Sequence, residues 1–164
     1  MLRKALVLLA LILVGCRGDQ TTNPAVGVGL SVTVQPAVAG PDDPATVEAR
    51  VVNHGPVHLK RGDGCSFWLH GMTLAFLDPH SNPIHLHDPR HQPLCPDRIV
   101  GFAPGDDLEG TVGFDGIVYS DSGERFGAPS GRYTVIVRFQ AWGDDEDAGS
   151  ISLERRATFR WIAD

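Results

Sequence analysis

Apolar and polar residues alternate with a period of two along most of the chain. In the first such segment, alternate positions from 26 to 34 hold valine or leucine, with small or polar residues between them, and Pro36 follows. This alternation is typical of a β-strand that buries one face. The same pattern recurs around residues 45–51, 65–69, 72–76, 84–86, 108–114, 133–141 and 157–161.

The segments are separated by turn-forming residues. The chain has 19 glycines and 12 prolines, and most of them lie between the alternating segments, as do many aspartates and asparagines. After the first sixteen residues there is no sustained helical period. Short alternating segments at fairly even spacing favour an all-β fold, an antiparallel immunoglobulin-like β-sandwich of about seven to nine strands.

The first sixteen residues have a different pattern. Arg3 and Lys4 precede an apolar run over residues 5–14, and residues 13–16 read Leu-Val-Gly-Cys. A basic segment, an apolar segment and a small residue before the cleavage site are typical of a secretory signal peptide. The run is ten residues long, well short of the roughly 20 apolar residues of a membrane-spanning helix. The cysteine in this place resembles the lipobox of bacterial lipoproteins, and a non-lipidated signal is the alternative.

The lipobox resemblance implies a domain organisation and a location. It implies a cleaved signal over residues 1–15 and a diacylglycerol thioether on Cys16. The polar stretch without periodicity that follows predicts a flexible tether, so that the lipidated cysteine and tether occupy residues 16–25 and the sandwich domain residues 26–164. Arg17 follows the cysteine, where some envelopes use aspartate to retain lipoproteins at the inner membrane. The expected location is therefore the cell envelope, lipid-anchored, with the outer membrane favoured over the inner one, facing the periplasm or the cell surface.

The charge balance argues against some partners. The chain has 14 Lys and Arg against 20 Asp and Glu, and removal of the signal would also remove Arg3 and Lys4. No basic stretch with interleaved aromatic residues is visible along the sequence. Such a body is expected to be repelled by nucleic acid and by anionic lipid headgroups. The expected partners are the membrane, through the lipid anchor, and an unidentified envelope protein or ligand.

Three cysteines fit an exported protein. With Cys16 consumed by lipid, Cys65 and Cys95 remain as an even pair, and an oxidising compartment favours a disulfide between them. The alternative is a metal or redox pair, which usually has the closer CxxC spacing.

Residues 78–95 are the segment richest in chemically active side chains. They contain His80, His85, His87 and His91, and on a strand His85 and His87 would share a face. Neutral imidazoles suit Zn²⁺, Cu²⁺ or Ni²⁺. The alternative is a histidine-rich surface loop without a cofactor. A run of four carboxylates over residues 144–147 is interpreted as a solvated loop.

Two resemblances refine the sandwich. Residues 130–135 resemble the start of a late strand in immunoglobulin-like domains, where the counterpart of Tyr133 bonds back to the backbone; the alternative is a plain aromatic core residue. The chain has Val52-Asn53, then Phe67 and Leu69, a hairpin at 78–83, a turn at 103–106 and the 130–133 segment. This order is similar to that of bacterial immunoglobulin-like domains of the intracellular proteinase inhibitor type. That resemblance implies the fold and a capacity for protease inhibition, although those inhibitors lack a lipobox.

Sequence motifs of common enzymes are not found. The chain has no G-x-S-x-G, HExxH, P-loop or CxxCH motif. The sequence favours a non-enzymatic, membrane-tethered, extracytoplasmic binding or structural module. The alternatives are an envelope metal-binding protein that uses the histidine segment and a protease inhibitor.

Overall fold

The computed structural model describes residues 21–23, 27–63, 71–91, 98–143 and 149–163 of the 164-residue chain. Within these ranges the chain forms thirteen β-strands, a single turn of 3-10 helix at Pro89–His91 and no α-helix. The strands are β1 (Thr21–Asn23), β2 (Val28–Gln35), β3 (Val38–Ala39), β4 (Ala45–Asn53), β5 (Leu59–Gly62), β6 (Met72–Leu77), β7 (Pro83–Ile84), β8 (Ile99–Phe102), β9 (Asp107–Phe114), β10 (Ile117–Tyr119), β11 (Arg125–Gly127), β12 (Gly131–Gly143) and β13 (Ser150–Trp161).

The strands form two main sheets. The smaller sheet has the antiparallel order β1-β2-β4-β9. The larger has the order β3-β13-β12-β5-β8, with β6 also pairing β12 and β7 pairing β6, while β10 and β11 form a separate hairpin. Among the described pairings only β3 with β13 is parallel. The predicted all-β, largely antiparallel sandwich is confirmed.

The strand count exceeds the prediction because several strands are very short. β3 and β7 have two residues each, and β1, β10 and β11 have three, too few to show an alternating pattern. β1 also lies inside residues 16–25, the segment predicted as a tether. Its sequence Thr-Thr-Asn has no apolar face, so only its backbone pairing with β2 marks it as a strand.

One hydrophobic core fills the space between the two sheets. Inward residues of β2 and β4 alternate with half-buried or exposed ones, as their sequence pattern predicts. Phe114 of β9 lies at the centre, and its ring contacts those of Tyr133, Phe159 and Trp161 at centroid distances of 5.0 to 5.1 Å. Aromatic side chains from both sheets therefore join the layers.

Tyr133 makes the backbone hydrogen bond that the resemblance of residues 130–135 to immunoglobulin-like domains implies. Its ring is buried in the core, and its hydroxyl donates to the backbone oxygen of Pro129 at 2.8 Å. Tyr133 is therefore an aromatic core residue that also bonds back to the backbone. Burial, with a smaller contribution from the Asp78 carboxylate, raises the pKa of Tyr133 to about 12.

This raised pKa predicts a loss of stability at high pH. A phenol with a higher pKa in the folded state gives its full contribution below the unfolded value of 10.0 and loses it as pH rises through about 12. We expect the free energy of unfolding, measured with urea, to fall over this interval. Tyr133→Phe should cost about 1 kcal/mol at neutral pH and remove this decline. Tyr119→Phe is the matched control and should keep the decline; an equal decline in Tyr133→Phe would contradict the assignment.

Several predicted features lie outside the described residues. These are the signal over residues 1–15, the lipidated Cys16, the strand predicted around residues 65–69, the proposed disulfide partners Cys65 and Cys95, and the carboxylate loop over residues 144–147. Their roles stay predictions. Within the described ranges, no helix is long and apolar enough to span a bilayer.

Candidate functional site

The histidine-rich segment lies at one edge of the larger sheet. The predicted hairpin at 78–83 is present, with β7 pairing β6. Beyond β7, the backbone of His85 forms an isolated antiparallel bridge with Tyr119. The nitrogen of His85 lies 3.2 Å from the oxygen of Tyr119, and the nitrogen of Tyr119 lies 2.8 Å from the oxygen of His85. The segment is thereby attached to the β10–β11 hairpin.

Two of the four histidines are paired with different carboxylates. His85 Nε2 lies 2.8 Å from Asp121 Oδ1, and His91 Nδ1 lies 3.0 Å from Asp88 Oδ2. His80 is exposed in the β6–β7 turn and His87 is exposed beyond the bridge. Among the described residues, no group of three histidine, cysteine or carboxylate side chains is arranged to hold a metal.

The predicted pairing of His85 with His87 depended on a continuous strand. β7 ends at Ile84, and the two residues after His85 are in a bend, so the alternation of faces stops there. The Zn²⁺ or Cu²⁺ hypothesis stays a prediction with no ligand group in the described part of the chain.

An ion pair fixes the end of this segment. Arg90 donates to both carboxylate oxygens of Asp88, at 2.9 and 2.7 Å, and to the backbone oxygen of Gly123 at 3.0 Å. The Arg90 guanidinium holds the pKa of Asp88 well below its usual range. The segment is therefore a charged loop that Arg90 holds against the β10–β11 hairpin.

A second cluster lies on the outer surface of the larger sheet. In the β12–β13 register Arg132 is directly opposite Arg160, and Arg138 is opposite Glu154. Arg156 is two residues further along β13 and faces the same way. All four arginines are exposed. We call this surface, formed by Arg132, Arg138, Arg156 and Arg160, the arginine face.

The arginines of this face differ in their partners. Glu154 accepts hydrogen bonds from Arg138 at 2.8 Å and from Arg156 at 2.9 Å, and these two cations lower the pKa of Glu154. Arg132 and Arg160 make no ion pair within the part of the chain that the structure describes. The Arg132 end of the face therefore has the largest excess of positive charge.

The outer surface of the smaller sheet has the opposite charge. Arg50 of β4 is hydrogen-bonded to Asp107 of β9 and lies 3.2 Å from Glu109, and Glu48 is exposed on the same side. Two carboxylates thus contact the Arg50 guanidinium, and a third is exposed on the same face. The sandwich has one acidic face and one basic face, although its net charge is negative.

The arginine face was missed in the sequence because its members are far apart. Arg132 and Arg160 lie on different strands, and neither is part of a basic run. The available signal was the alternation of arginines with buried residues in two strands joined by a loop. Only the register of those strands shows that the arginines meet.

Comparisons with known proteins give weak likenesses. No protein-family model and no curated protein sequence matches the chain. A β-glucosidase from Erythrobacter marinus has 14% identity and a TM-score of 0.45, over 84% of this chain and 16% of that one. A β-glucosidase from Listeria innocua has 14% identity and a TM-score of 0.42, over 85% and 16%. The putative ApaA protein from Bordetella pertussis has 13% identity and a TM-score of 0.43, over 87% and 93%.

These likenesses do not extend to activity. This chain spans 16% of the length of the two β-glucosidases, and each of the three similarities has a TM-score below 0.5. No family membership follows from them.

Proposed function

We propose that this chain is an extracytoplasmic lipoprotein tethered to a membrane, with the outer membrane favoured. The observation that carries the proposal is the Leu-Val-Gly-Cys motif at residues 13–16, which follows a basic and then an apolar segment. The spacing to the domain supports it. β1 begins at Thr21, five residues after Cys16, so the folded body starts close to the proposed anchor.

The sandwich would act as a non-enzymatic binding or structural module. Its two sheets provide a rigid frame with a well-filled aromatic core. The described residues place two charged surfaces on this frame, the histidine-rich loop held by Arg90 and the arginine face. Both contain charged groups suited to recognition. Rigid β-frames that display charged loops and faces serve many binding tasks.

Lipid attachment gives the direct test. The full chain is expressed in a bacterial host with labelled palmitate, beside a Cys16→Ser variant. We expect the wild-type protein to be labelled and to sediment with membranes. Cys16→Ser should lose the label entirely and leave the acylated fraction, because the thiol that carries diacylglycerol is gone. Cys65→Ser is the matched control and should keep the label. An intact leader or an unmodified Cys16 on the wild-type protein would refute the proposal.

A further inference from the structure

The two arginines at one end of the arginine face form an unfavourable pair. Arg132 and Arg160 are directly opposite across the β12–β13 ladder, where like charges destabilise a sheet. No described carboxylate offsets them. Guanidinium groups from two opposed positions on one face suit phosphate oxygens, because each offers several N–H donors in a fixed plane. Repulsion between like charges lowers the stability of the folded protein, and such a local loss of stability is expected where a charged ligand binds.

Exposed apolar side chains lie beside this pair. Val38 of β3 is the parallel partner of Arg160, and its side chain is 54% exposed. Ile162 follows the buried Trp161 and is 48% exposed. Guanidinium groups next to exposed aliphatic side chains suit the headgroup region of a bilayer, where the stems contact apolar atoms and the charged ends contact phosphates.

The direction of β1 relates its first residue to the same end of the sandwich. β1 is antiparallel to β2, and Thr21 lies opposite Leu30, so β1 runs away from the end at which β2 finishes. β2 ends at Gln35, just before β3 pairs with Arg160. From Leu30 to Gln35 a strand rises about 17 Å. Five residues of chain span at most about 18 Å. A lipid on Cys16 can therefore lie level with the arginine pair.

We infer that the arginine face docks on the phosphates of anionic phospholipids in the membrane that holds the anchor. Arg132 and Arg160 contact the phosphates, and Val38 and Ile162 contact the boundary between headgroups and acyl chains. The inference rests on the proposed function for the location of the anchor. Exposed Asp42 and Asp43 lie in the turn after β3, and their carboxylates oppose contact between that turn and an anionic surface.

Vesicle binding without the anchor tests this docking. The protein is the chain from residue 16 onward with Cys16→Ser, which retains every residue of the hydrophobic core. It is floated with phosphatidylcholine vesicles and with phosphatidylcholine–phosphatidylglycerol vesicles. We expect binding to the anionic vesicles only, and loss of that binding at about 1 M salt. Arg132→Gln with Arg160→Gln should lower the partition coefficient about thirtyfold, which corresponds to about 1 kcal/mol per arginine near the surface.

The matched control removes the same charge elsewhere. Arg98 and Arg125 are exposed and lie outside the β12–β13 pair, so Arg98→Gln with Arg125→Gln should stay within about threefold of the wild type. Equal binding by the Arg132–Arg160 variant, or an equal loss in the control, would overturn the inference. So would wild-type binding to dextran sulfate but not to anionic vesicles, which would assign the face to a soluble polyanion. Because this assay omits the acyl chains, its result is independent of palmitate labelling at Cys16.

Discussion

Replacement of Asn53 by alanine should lower the free energy of unfolding by about 4 kcal/mol. Asn53 ends β4 and is completely buried. Its side-chain oxygen accepts a hydrogen bond from the Gly55 N–H at 3.0 Å, and its side-chain nitrogen donates to the backbone oxygens of Val57 at 3.0 Å and Phe102 at 3.1 Å. Alanine would remove all three bonds, and the bonds to Gly55 and Phe102 are buried, which is where an unmade hydrogen bond costs most.

The backbone hydrogen bonds of Asn53 explain why the substitution should also destabilise the neighbouring turn and strand end. Its N–H donates to the Asp106 oxygen at 3.0 Å, and its own oxygen accepts from the Gly105 N–H at 2.7 Å. The side chain and backbone of this residue therefore join the end of β4 to the turn before β9 and to the end of β8. Gly27 approaches the same loop so closely that an added Cβ would lie 2.7 Å from the Gly55 nitrogen. The neighbouring backbone has little room to relax around a truncated side chain.

A second asparagine provides the comparison. Asn82 is exposed in the β6–β7 turn, where its side chain donates to Asp78 at 3.1 Å. Asn82→Ala should cost less than about 1 kcal/mol, because water replaces the lost partner. Urea unfolding of both variants measures the difference, and an unchanged m-value would show that the unfolded state is the same. If Asn53→Ala costs no more than Asn82→Ala, the buried hydrogen bonds do not stabilise this end of the sandwich.

The long strands were predictable because each contains an alternating pattern of apolar and polar residues. Along most of β2, β4, β12 and β13, buried or half-buried residues alternate with more exposed ones, and this alternation indicates both the strand type and the inward face. The position of Asn53 was predictable only as a turn residue. Its burial depends on Phe102, which is 49 positions away. The local sequence pattern does not predict that these two residues come into contact.

The candidate sites differ in the same way. His85 and His87 satisfied a local spacing rule, but the rule required a strand that ends at Ile84. Arg132 and Arg160 satisfied no local rule, and the hairpin register brings them opposite each other. Net charge predicted repulsion from anionic surfaces, yet charge separated onto two faces creates a local attraction that a sum over the chain hides. Placement of charge in a sandwich is thus a property of strand pairing.

The second large effect is expected at the centre of the core, where Phe114→Ala should cost about 4 kcal/mol. Phe114 belongs to the smaller sheet, and its ring stacks on Phe76 at 5.8 Å and contacts Tyr133, Phe159 and Trp161 of the larger sheet. Truncation removes the burial of one ring and four aromatic contacts together, and it leaves a cavity between the layers.

The surrounding rings are poorly placed to fill that cavity. Phe76, Tyr133, Phe159 and Trp161 are all nearly fully buried, and the Tyr133 hydroxyl is held by Pro129. Phe126→Ala is the matched control, since Phe126 is 41% exposed on β11 and should cost under about 1 kcal/mol. Urea unfolding gives both values, and near-ultraviolet circular dichroism reports whether the rings stay ordered. A Phe114→Ala cost close to that of Phe126→Ala would mean that the two sheets are not held together by this aromatic cluster.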